Sequence, residues 1–213
     1  MDVWRALAMP DLSQPMEDVR WVVVDVESSG LNPRRDRLLS IGAVAVRSGR
    51  IRYDDCFNVF LKQERPSETD NILVHGIGGS RQISGVAGDE GLLAFLEYVG
   101  KSPLVAFHAE FDRALIARAM ERTVRVRLPN RWLDLAELAP ALFDDEGGLR
   151  TLDDWMGRFR IHNPARHDAV ADALATAELL LIALAAARGR RLSRSEALFD
   201  LAQAWRWRAR SSG

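Results

Sequence analysis

The sequence contains one cysteine, Cys56, among its 213 residues, and only two of its 29 basic residues are lysine. A single cysteine excludes an intramolecular disulfide, and a reducing compartment is the simplest interpretation. Long apolar runs are also missing: the run from Ala173 to Ala187 has about 15 residues and contains Glu178. A membrane-spanning helix needs roughly 18 apolar residues, so we expect no membrane span.

An excess of either charge is absent as well, because 29 basic and 30 acidic residues leave a net charge of −1. No global field attracts a polyanion, so a nucleic-acid partner has to be held by a local site. The amino-terminal residues lack a basic stretch that leads into an apolar run, which is the pattern of a secretory signal. We therefore expect the protein in the cytoplasm.

What the sequence does have is the composition of a globular protein, with 47% hydrophobic and 28% charged residues. A chain of this length can bury roughly 70% of the surface that it exposes when unfolded, so its fold needs no disulfide or structural metal. Pro10 and Pro15 interrupt any helix near the start. We expect an amino-terminal extension over residues 1–19, one domain over residues 20–188, and a helix and tail over residues 189–213.

Five segments have the β-branched or apolar pattern of buried strands. The second and third are joined by Arg47 to Arg50, which have the composition of a turn. The first three segments therefore predict an antiparallel meander. The predicted strands are Trp21–Val26, Leu38–Val46, Ile51–Leu61, Leu104–Phe107 and Arg131–Leu133.

Helical periodicity begins after a polar, glycine-rich stretch over residues 62–88. Thr151 with Asp154 three positions later is a variant of the capping box. The predicted helices are Glu90–Val99, Ala109–Glu121, one from Leu135, one from Thr151, Asp168–Ala187 and Ser193–Trp207. A meander followed by alternating strands and helices predicts an α/β fold, with a mixed five-stranded sheet (antiparallel meander plus parallel strands) and helices on both faces.

Two carboxylates, Asp25 and Glu27, lie in the segment VVVDVESSG at the end of the first predicted strand, with Glu27 one residue past its apolar run. Side chains alternate along a strand, so both point to one side while Val24 and Val26 point to the other. Two anions on one buried face repel each other and lose hydration unless a cation neutralises them. A divalent metal would do so, but an early end of the strand or pairing with an arginine would explain these residues equally well.

Two further carboxylates open predicted helices. Asp112 lies in the first turn of the helix that follows a buried strand, and Asp172 lies near the start of the long helix, five residues after His167. Acidic residues are common in first turns because the helix dipole favours them there, so each is ordinary by itself. Their order and spacing after Asp25 and Glu27 are more specific.

The combined pattern resembles the DnaQ-like 3′-to-5′ exonucleases, the DEDDh branch of the ribonuclease-H-like fold. The first motif of that family, DxE followed by two hydroxyl residues and glycine, is matched by residues 25–31. The second, an aspartate just after a strand, is matched by Phe107 to Asp112, and the third, His-x4-Asp, by His167 and Asp172. Val74 to Ile77 is similar to the family's HGI loop.

By this resemblance, residues 20–188 form an exonuclease domain that holds two Mg²⁺ or Mn²⁺ ions, hard cations that suit carboxylate oxygen. His167 accepts the proton of the attacking water, so activity should rise with pH as the imidazole loses its own proton. An exposed, solvated histidine is the alternative interpretation of His167. The implied metal ligands are Asp25, Glu27, Asp112 and Asp172, which together with His167 form the implied catalytic set.

The resemblance also implies a binding site for the terminal nucleotide, on the loop after the DxE motif and on the HGI loop. Leu31 could equally belong to the hydrophobic core. The implied contacts are Ser28, Ser29, Gly30, Leu31, His75, Gly76, Ile77 and His108. His108 stands where the family usually has asparagine, and a serine pair replaces the usual threonines, so the specificity for the terminal nucleotide stays open.

The expected activity is the metal-dependent release of nucleoside monophosphates from the 3′ ends of single-stranded DNA. An exoribonuclease that trims short RNA is the alternative, because the same metal site accepts either sugar. A binding protein that keeps the fold without turnover is a third, which the complete set of acidic residues disfavours. The resemblance leaves a homodimer or a polymerase partner open.

The carboxy-terminal helix alternates tryptophan with arginine from Trp205 to Arg208. Such residues can stack on bases and neutralise phosphates. Packing against the body of the domain or a second subunit is the more common role, and it is the one we expect.

Overall fold

A computed structural model describes residues 2–68, 70, 72–73, 76–145 and 148–211. Within these residues, strands form one five-stranded sheet in the spatial order β3-β2-β1-β4-β5. The strands are β1 (Trp21–Ser28), β2 (Leu38–Arg47), β3 (Arg50–Phe60), β4 (Leu104–Ala106) and β5 (Trp132–Asp134). β1 pairs antiparallel with β2 and parallel with β4, which confirms the predicted mixed sheet.

Helices cover both faces of the sheet because successive side chains of β1 enter two different hydrophobic clusters. Trp21 and Val23 pack with α5 to α8, whereas Val22 and Val24 pack with α3 and α4. Within the described residues the helices are α1 (Asp2–Ala6), α2 (Gly79–Ile83), α3 (Gly88–Val99), α4 (Ala109–Thr123), α5 (Leu135–Phe143), α6 (Leu152–Phe159), α7 (Ala169–Gly189) and α8 (Ser195–Ser211).

The predicted elements differ from the observed ones mainly at their ends. β1 continues to Ser28, two residues beyond the predicted end at Val26, so Glu27 lies inside the strand. Thr151 and Asp154 form the predicted capping box at the start of α6. The carboxy-terminal helix begins two residues later than predicted and ends four residues later.

Helix α2 lies within residues 62–88, where the sequence predicted no regular structure. Gln82 stabilises it: the buried amide donates to the carbonyl oxygen of Ile77 at 2.9 Å and accepts from the backbone N–H of Ser67 at 2.8 Å. These bonds pair the amide of Gln82 with backbone groups of the loop before the helix. A glutamine in a polar stretch carries no signal that it will be buried, so the sequence alone does not indicate this helix.

The amino-terminal segment packs against the body of the domain. Met16 is completely buried, and its backbone N–H donates to the carbonyl oxygen of Ser193 at 3.1 Å. The carbonyl oxygen of Met16 accepts from the indole N–H of Trp21 at 2.9 Å. These bonds tie the segment to β1 and to the residues that lead into α8.

Helix α7 is the longest helix of the described residues, and by length and composition it could cross a membrane, with a mean hydropathy of 1.9 over its most apolar window. However, 56% of that window is buried inside the domain. There α7 packs on β1 and β2. Its apolar surface is therefore explained by its position in the core.

Candidate active site

Three carboxylates meet near the end of β1. One oxygen from each of Asp25, Glu27 and Asp172 lies within 4.8 Å of the other two. Asp25 and Glu27 share a face of the sheet because side chains alternate along β1. Asp172 reaches that face from the first turn of α7. The fold thus joins carboxylates from the first strand and from the last helix of residues 20–188.

Gly42 lets α7 approach the sheet this closely. It lies directly opposite Asp25 in the pairing of β1 with β2. A methyl group at Gly42 would overlap the backbone of Ala169 and Val170, the first two residues of α7. The absence of a side chain at this position therefore permits the short distance between Asp25 and Asp172.

Asp172 is buried and accepts hydrogen bonds on both carboxylate oxygens. Its Oδ1 accepts from the Asn163 amide at 2.6 Å and from the Arg166 guanidinium, and its Oδ2 accepts from the backbone N–H of His167 at 3.1 Å. Arg166 also binds Asp153 of α6 at 2.7 and 3.3 Å. An arginine therefore does pair with the acidic cluster, but through Asp172.

Asp112 lies in the first turn of α4 and is buried near the same end of β1. Its carboxylate accepts a backbone hydrogen bond from Val26, which lies between Asp25 and Glu27 in the strand. Asp112 is not part of the closest group of three oxygens. Asp112 therefore lies beside the group of Asp25, Glu27 and Asp172, next to the strand β1 that carries the first two.

A further buried carboxylate, Asp134, positions the start of α4. Its oxygens accept from the backbone N–H groups of His108 and Ala109, each at 3.0 Å, and from that of Ala136 at 2.9 Å. Asp134 therefore caps α5 and holds the first residues of α4 with one side chain. Its place before the predicted helix from Leu135 is a capping signal, but the bond to α4 has no signal in the sequence.

The acidic cluster carries more negative charge than the guanidinium of Arg166 neutralises. Burial raises the pKa of Asp25 well above its usual range, and the charges of Asp112, Glu27 and Asp172 raise it further. Burial and the charge of Asp172 raise the pKa of Glu27 to about 8. Arg166 opposes both shifts without cancelling them. A bound divalent cation would supply the missing positive charge.

The donors present fit a hard divalent cation. They are carboxylate oxygens, the ligands that Mg²⁺ and Mn²⁺ prefer. The buried hydroxyl of Ser40, opposite Glu27 in the pairing of β1 with β2, has no hydrogen-bond partner among the described residues. β1 does not end before Asp25 and Glu27, and in the described part of the chain no arginine forms an ion pair with either. The two alternatives left open for this pair are therefore not observed.

His167 lies directly before Asp168, the residue that caps α7. Its φ of 63° is in the left-handed region, a conformation that costs a non-glycine residue about 1–3 kcal/mol. The hydrogen bond from its backbone to Asp172 helps to hold this conformation. The side chain is exposed, so water and substrate can reach the ring. Its role as the proton acceptor stays a prediction.

The loop after β1 places Leu31 in solvent. Leu31 is 93% exposed, which rules out the core position that the sequence left open. The Ser28 hydroxyl donates to the carbonyl oxygen of Gly30 at 2.6 Å, and the Ser29 hydroxyl oxygen accepts from the backbone N–H of Arg37 at 2.9 Å. Hydrogen bonds of both serines thus shape the loop, which exposes one apolar side chain to solvent.

The remaining predicted substrate contacts are divided between the surface and the core. His75 lies outside the described residues. Gly76 has a φ of 66° and is exposed, whereas Ile77 is buried. The exposed ring of His108 places Nε2 3.2 Å from the carbonyl oxygen of Arg150. That these residues bind the terminal nucleotide stays a prediction.

A groove of about 800 Å³ separates α8 from the start of α4. Its lining includes His108 and Phe111 on the side of α4 and Trp205 and Arg206 on the side of α8. Arg206 forms an ion pair with Glu137 of α5. The tryptophan–arginine helix therefore contacts the body of the domain through Arg206, whereas Trp207 is 67% exposed, so the packing expected for these residues is observed only in part.

Residues 22–180 match the protein-family model described as Exonuclease, of the RNase_T type. This match spans most of the chain and includes all four carboxylates of the site. The chain belongs to the exonuclease family. The resemblance based on residues 25–31, 107–112 and 167–172 is thereby confirmed.

This exonuclease-family chain is similar to segments of longer curated proteins. It is 32% identical over 168 residues to a DNA polymerase III PolC-type protein of Clostridium perfringens, a match that covers 76% of this chain and 11% of that protein. It is 31% identical over 182 residues to a DNA polymerase III subunit epsilon-like protein of Rhodobacter capsulatus, covering 84% of this chain and 26% of that protein. The chain therefore spans about a tenth to a quarter of the length of these relatives.

Solved structures of nucleases share the fold. Exonuclease I of E. coli in complex with a dA16 oligonucleotide has a TM-score of 0.71 at 17% identity, covering 85% of this chain and 43% of that one. Exonuclease X in complex with 5′ overhanging duplex DNA has a TM-score of 0.67 at 20% identity, covering 85% of this chain and 99% of that one. At these identities the likeness establishes the architecture of the family domain.

Four residues that assemble the site, Gly42, Asp134, Asn163 and Arg166, had no predicted role. Gly42 carried a usable signal, because a glycine inside a strand often marks a close backbone approach. Asn163 and Arg166 lie nine and six residues before Asp172, but nothing in their spacing indicates that they bind it.

Proposed function

We propose that this exonuclease-family domain hydrolyses single-stranded DNA from its 3′ end and releases nucleoside monophosphates, using two Mg²⁺ or Mn²⁺ ions. The observation that carries the proposal is the convergence of Asp25, Glu27 and Asp172, with Asp112 beside them, at a place where their charge is not neutralised. Burying unneutralised charge costs stability, which a purely structural cluster would avoid. Membership of the family supplies the class of reaction.

The residues of the site have distinct parts in this proposal. Asp25, Glu27, Asp112 and Asp172 would hold the ions, which supply an acidified water and positive charge for the departing 3′-oxygen. His167 takes a proton from the attacking water, and its exposed ring can pass that proton to solvent. Hydrolysis then breaks the bond between the phosphorus and the 3′-oxygen of the preceding nucleotide.

The loop after β1 could bind the terminal nucleotide of a DNA strand, which supports cleavage from a DNA end. Its exposed Leu31 follows the motif that carries Glu27, so a base stacked on this leucine would lie close to the acidic cluster. Ser28, Ser29 and Gly30 offer hydroxyl and backbone groups to the sugar of the same nucleotide. We propose that this loop binds the terminal nucleotide, together with His75, Gly76, Ile77 and His108.

The names of the relatives and the molecules bound in the similar structures indicate DNA as the polymer. Two of them have names of DNA polymerase III components, and the structures of exonuclease I and exonuclease X contain DNA. We therefore propose DNA rather than RNA as the substrate. A polymerase is the partner that we propose to test first, with a second copy of the chain as the alternative.

The direction and the polymer can be tested with labelled oligonucleotides. A 5′-labelled single-stranded DNA should shorten as a ladder in Mn²⁺ or Mg²⁺, a 3′-labelled one should release its label as a mononucleotide at once, and EDTA should stop both. RNA of the same sequence should be degraded more slowly. Faster loss of RNA would support the exoribonuclease, and binding without cleavage would support a protein that keeps the fold without turnover.

A matched pair of variants ties the cleavage to the acidic cluster. Asp112→Asn removes the charge of the carboxylate beside Asp25, Glu27 and Asp172. This variant should produce no ladder of shortened DNA. Asp200→Asn makes the same change at an exposed position of α8 and should leave the ladder unchanged. Equal activity of the two variants would contradict the proposed site.

A further inference from the structure

Arg166 lies between two carboxylates that belong to different helices. Its guanidinium binds Asp153 in the first turn of α6 through two nitrogens, at 2.7 and 3.3 Å, and binds Oδ1 of Asp172 through a third. The arginine side chain is 28% exposed, that of Asp153 65%, and that of Asp172 only 7%. One arginine therefore joins a solvated anion to a buried member of the acidic cluster.

Asp172 does not depend on Arg166 for its orientation. The Asn163 amide holds Oδ1 at 2.6 Å, and the His167 backbone N–H holds Oδ2 at 3.1 Å. A carboxylate offers about four lone-pair positions, and these three donors together use three of them. Arg166 thus takes up a position on Asp172 that a metal ion could otherwise use, while neutral donors keep the side chain in place.

Arg166 also adds a positive charge where the proposed ions would bind. Its charge acts on Asp25 and Glu27 as well as on Asp172, which it contacts directly. Four carboxylates balance the four positive charges of two divalent ions. Asp153 offsets the charge of Arg166 only from outside the cluster, where its 65% exposed side chain is screened by water, so the arginine adds positive charge to a cluster that the two ions already balance. A phosphodiester brings one negative charge and would restore the balance.

We propose that Arg166 is a built-in counter-ion of the acidic cluster, which stabilises the metal-free site and weakens the binding of divalent ions until nucleic acid is bound. The proposal rests on the proposed function, because it assigns a role to this residue at the same metal site. Arg166 does not touch the reacting atoms in this scheme. It acts through Asp172 and sets how tightly the cluster holds its ions.

Arg166→Met tests the proposal through metal affinity and stability, without measuring cleavage. In the absence of nucleic acid, calorimetric titration with Mn²⁺ should show binding at least about tenfold tighter than in the unchanged protein, because a like charge beside the ion is gone. Thermal unfolding in EDTA should occur at a lower temperature, because Asp172 loses its buried partner. Arg166→Gln is a second neutral variant, which keeps a donor for Asp172 should the methionine variant not fold.

Two further variants separate charge from shape. Arg166→Lys keeps the positive charge, so its Mn²⁺ affinity should stay within about threefold of the unchanged protein. Arg127→Met makes the same substitution in an exposed ion pair with Glu121, and it should change neither quantity. Adding a short DNA with a non-hydrolysable 3′ linkage should reduce the difference in affinity between Arg166→Met and the unchanged protein.

The outcomes distinguish this inference from the proposed function. If the unchanged protein binds no Mn²⁺ or Mg²⁺, the proposed function fails and the inference with it. If it binds ions but the neutral variants bind them equally or more weakly, the inference alone is overturned, because Arg166 would then only orient Asp172. Tighter binding by the lysine variant, equal to that of the methionine variant, would also overturn it.

Discussion

The two ends of β1 differ in how their acidic side chains are neutralised. Just before the strand, Arg20 forms a two-bond ion pair with Asp55 of β3, at 2.8 and 2.6 Å, and also donates to Ser102 at 3.1 Å. The hydrogen bonds and the charge of Arg20 hold the pKa of Asp55 below its usual range. At the far end, burial raises the pKa of Asp25 well above its usual range.

The difference shows what each end is built to do. The Arg20–Asp55 pair is complete within the chain, so it joins β1 to the edge strand β3 and requires nothing from solution. The cluster around Asp25 is incomplete, so the folded state is stabilised when a cation binds there. Acidic residues of the same type are thus structural at one end of the strand and available for chemistry at the other.

Asp25→Asn should have the largest effect and should separate activity from stability. The loss of one charged ligand should reduce DNA cleavage by at least about 10³-fold. The metal-free protein should be as stable as before or more so, because a buried carboxyl with a raised pKa is replaced by a neutral amide. Cleavage rates and thermal unfolding in EDTA check the two parts. Activity within tenfold of the unchanged protein would refute the role of Asp25.

Gly42→Ala should disturb the contact on which the cluster depends. The added methyl group overlaps the start of α7, so the free energy of unfolding should fall by about 1–3 kcal/mol and Mn²⁺ should bind more weakly. Gly157→Ala is the matched control, because a methyl group there meets no atom within 4 Å, and alanine favours a helix. Urea titrations measure the stability of both variants, and calorimetry measures their Mn²⁺ affinity. Equal results for Gly42→Ala and Gly157→Ala would contradict the role of Gly42.

Asp55→Asn should show the reverse of Asp25→Asn. It removes the charge from the balanced pair at the start of β1, which should cost about 1 kcal/mol of stability because the pair is partly exposed. Cleavage of DNA should not change. Asp54→Asn, in a more exposed pair with Arg52, should cost less stability than Asp55→Asn. A loss of activity in Asp55→Asn with unchanged stability would contradict the comparison.

Glu27→Gln should change how the stability of the metal-free protein depends on pH. The pKa of Glu27 rises from its ordinary 4.5 to about 8 on folding, so between these values the folded chain keeps a proton that the unfolded chain releases. The contribution of Glu27 is therefore fully favourable below pH 4.5 and is lost as the pH rises through about 8.

The melting temperature of Glu27→Gln in EDTA should accordingly match that of the unchanged protein near pH 5 and exceed it at pH 8.5. Saturating Mn²⁺ should abolish the advantage, because the ion then stabilises the charged carboxylate. Glu90→Gln, at an exposed position in the first turn of α3, provides the control. A difference between Glu27→Gln and the unchanged protein that does not vary with pH would show that Glu27 titrates normally.

Much of the architecture could be predicted because it depends on local patterns. The β-branched run from Trp21 predicted a buried strand, and the alternation of its side chains placed Asp25 and Glu27 on one face. The capping box of Thr151 and Asp154 predicted the start of α6. The burial of Gln82 within α2 could not be predicted, because its partners, Ser67 and Ile77, lie in separate parts of the loop before the helix.

The sequence by itself determined the order of the five strands and of all described helices except α1 and α2. It also determined the family motifs and which acidic residues stand at element ends, because these follow from periodicity and spacing along the chain. Only the tertiary structure decided that Gly42 admits α7, that Arg166 binds Asp172 rather than Asp25 or Glu27, and that Leu31 is exposed. These outcomes depend on how closely distant segments approach and on the direction of each side chain. No local pattern specifies either quantity.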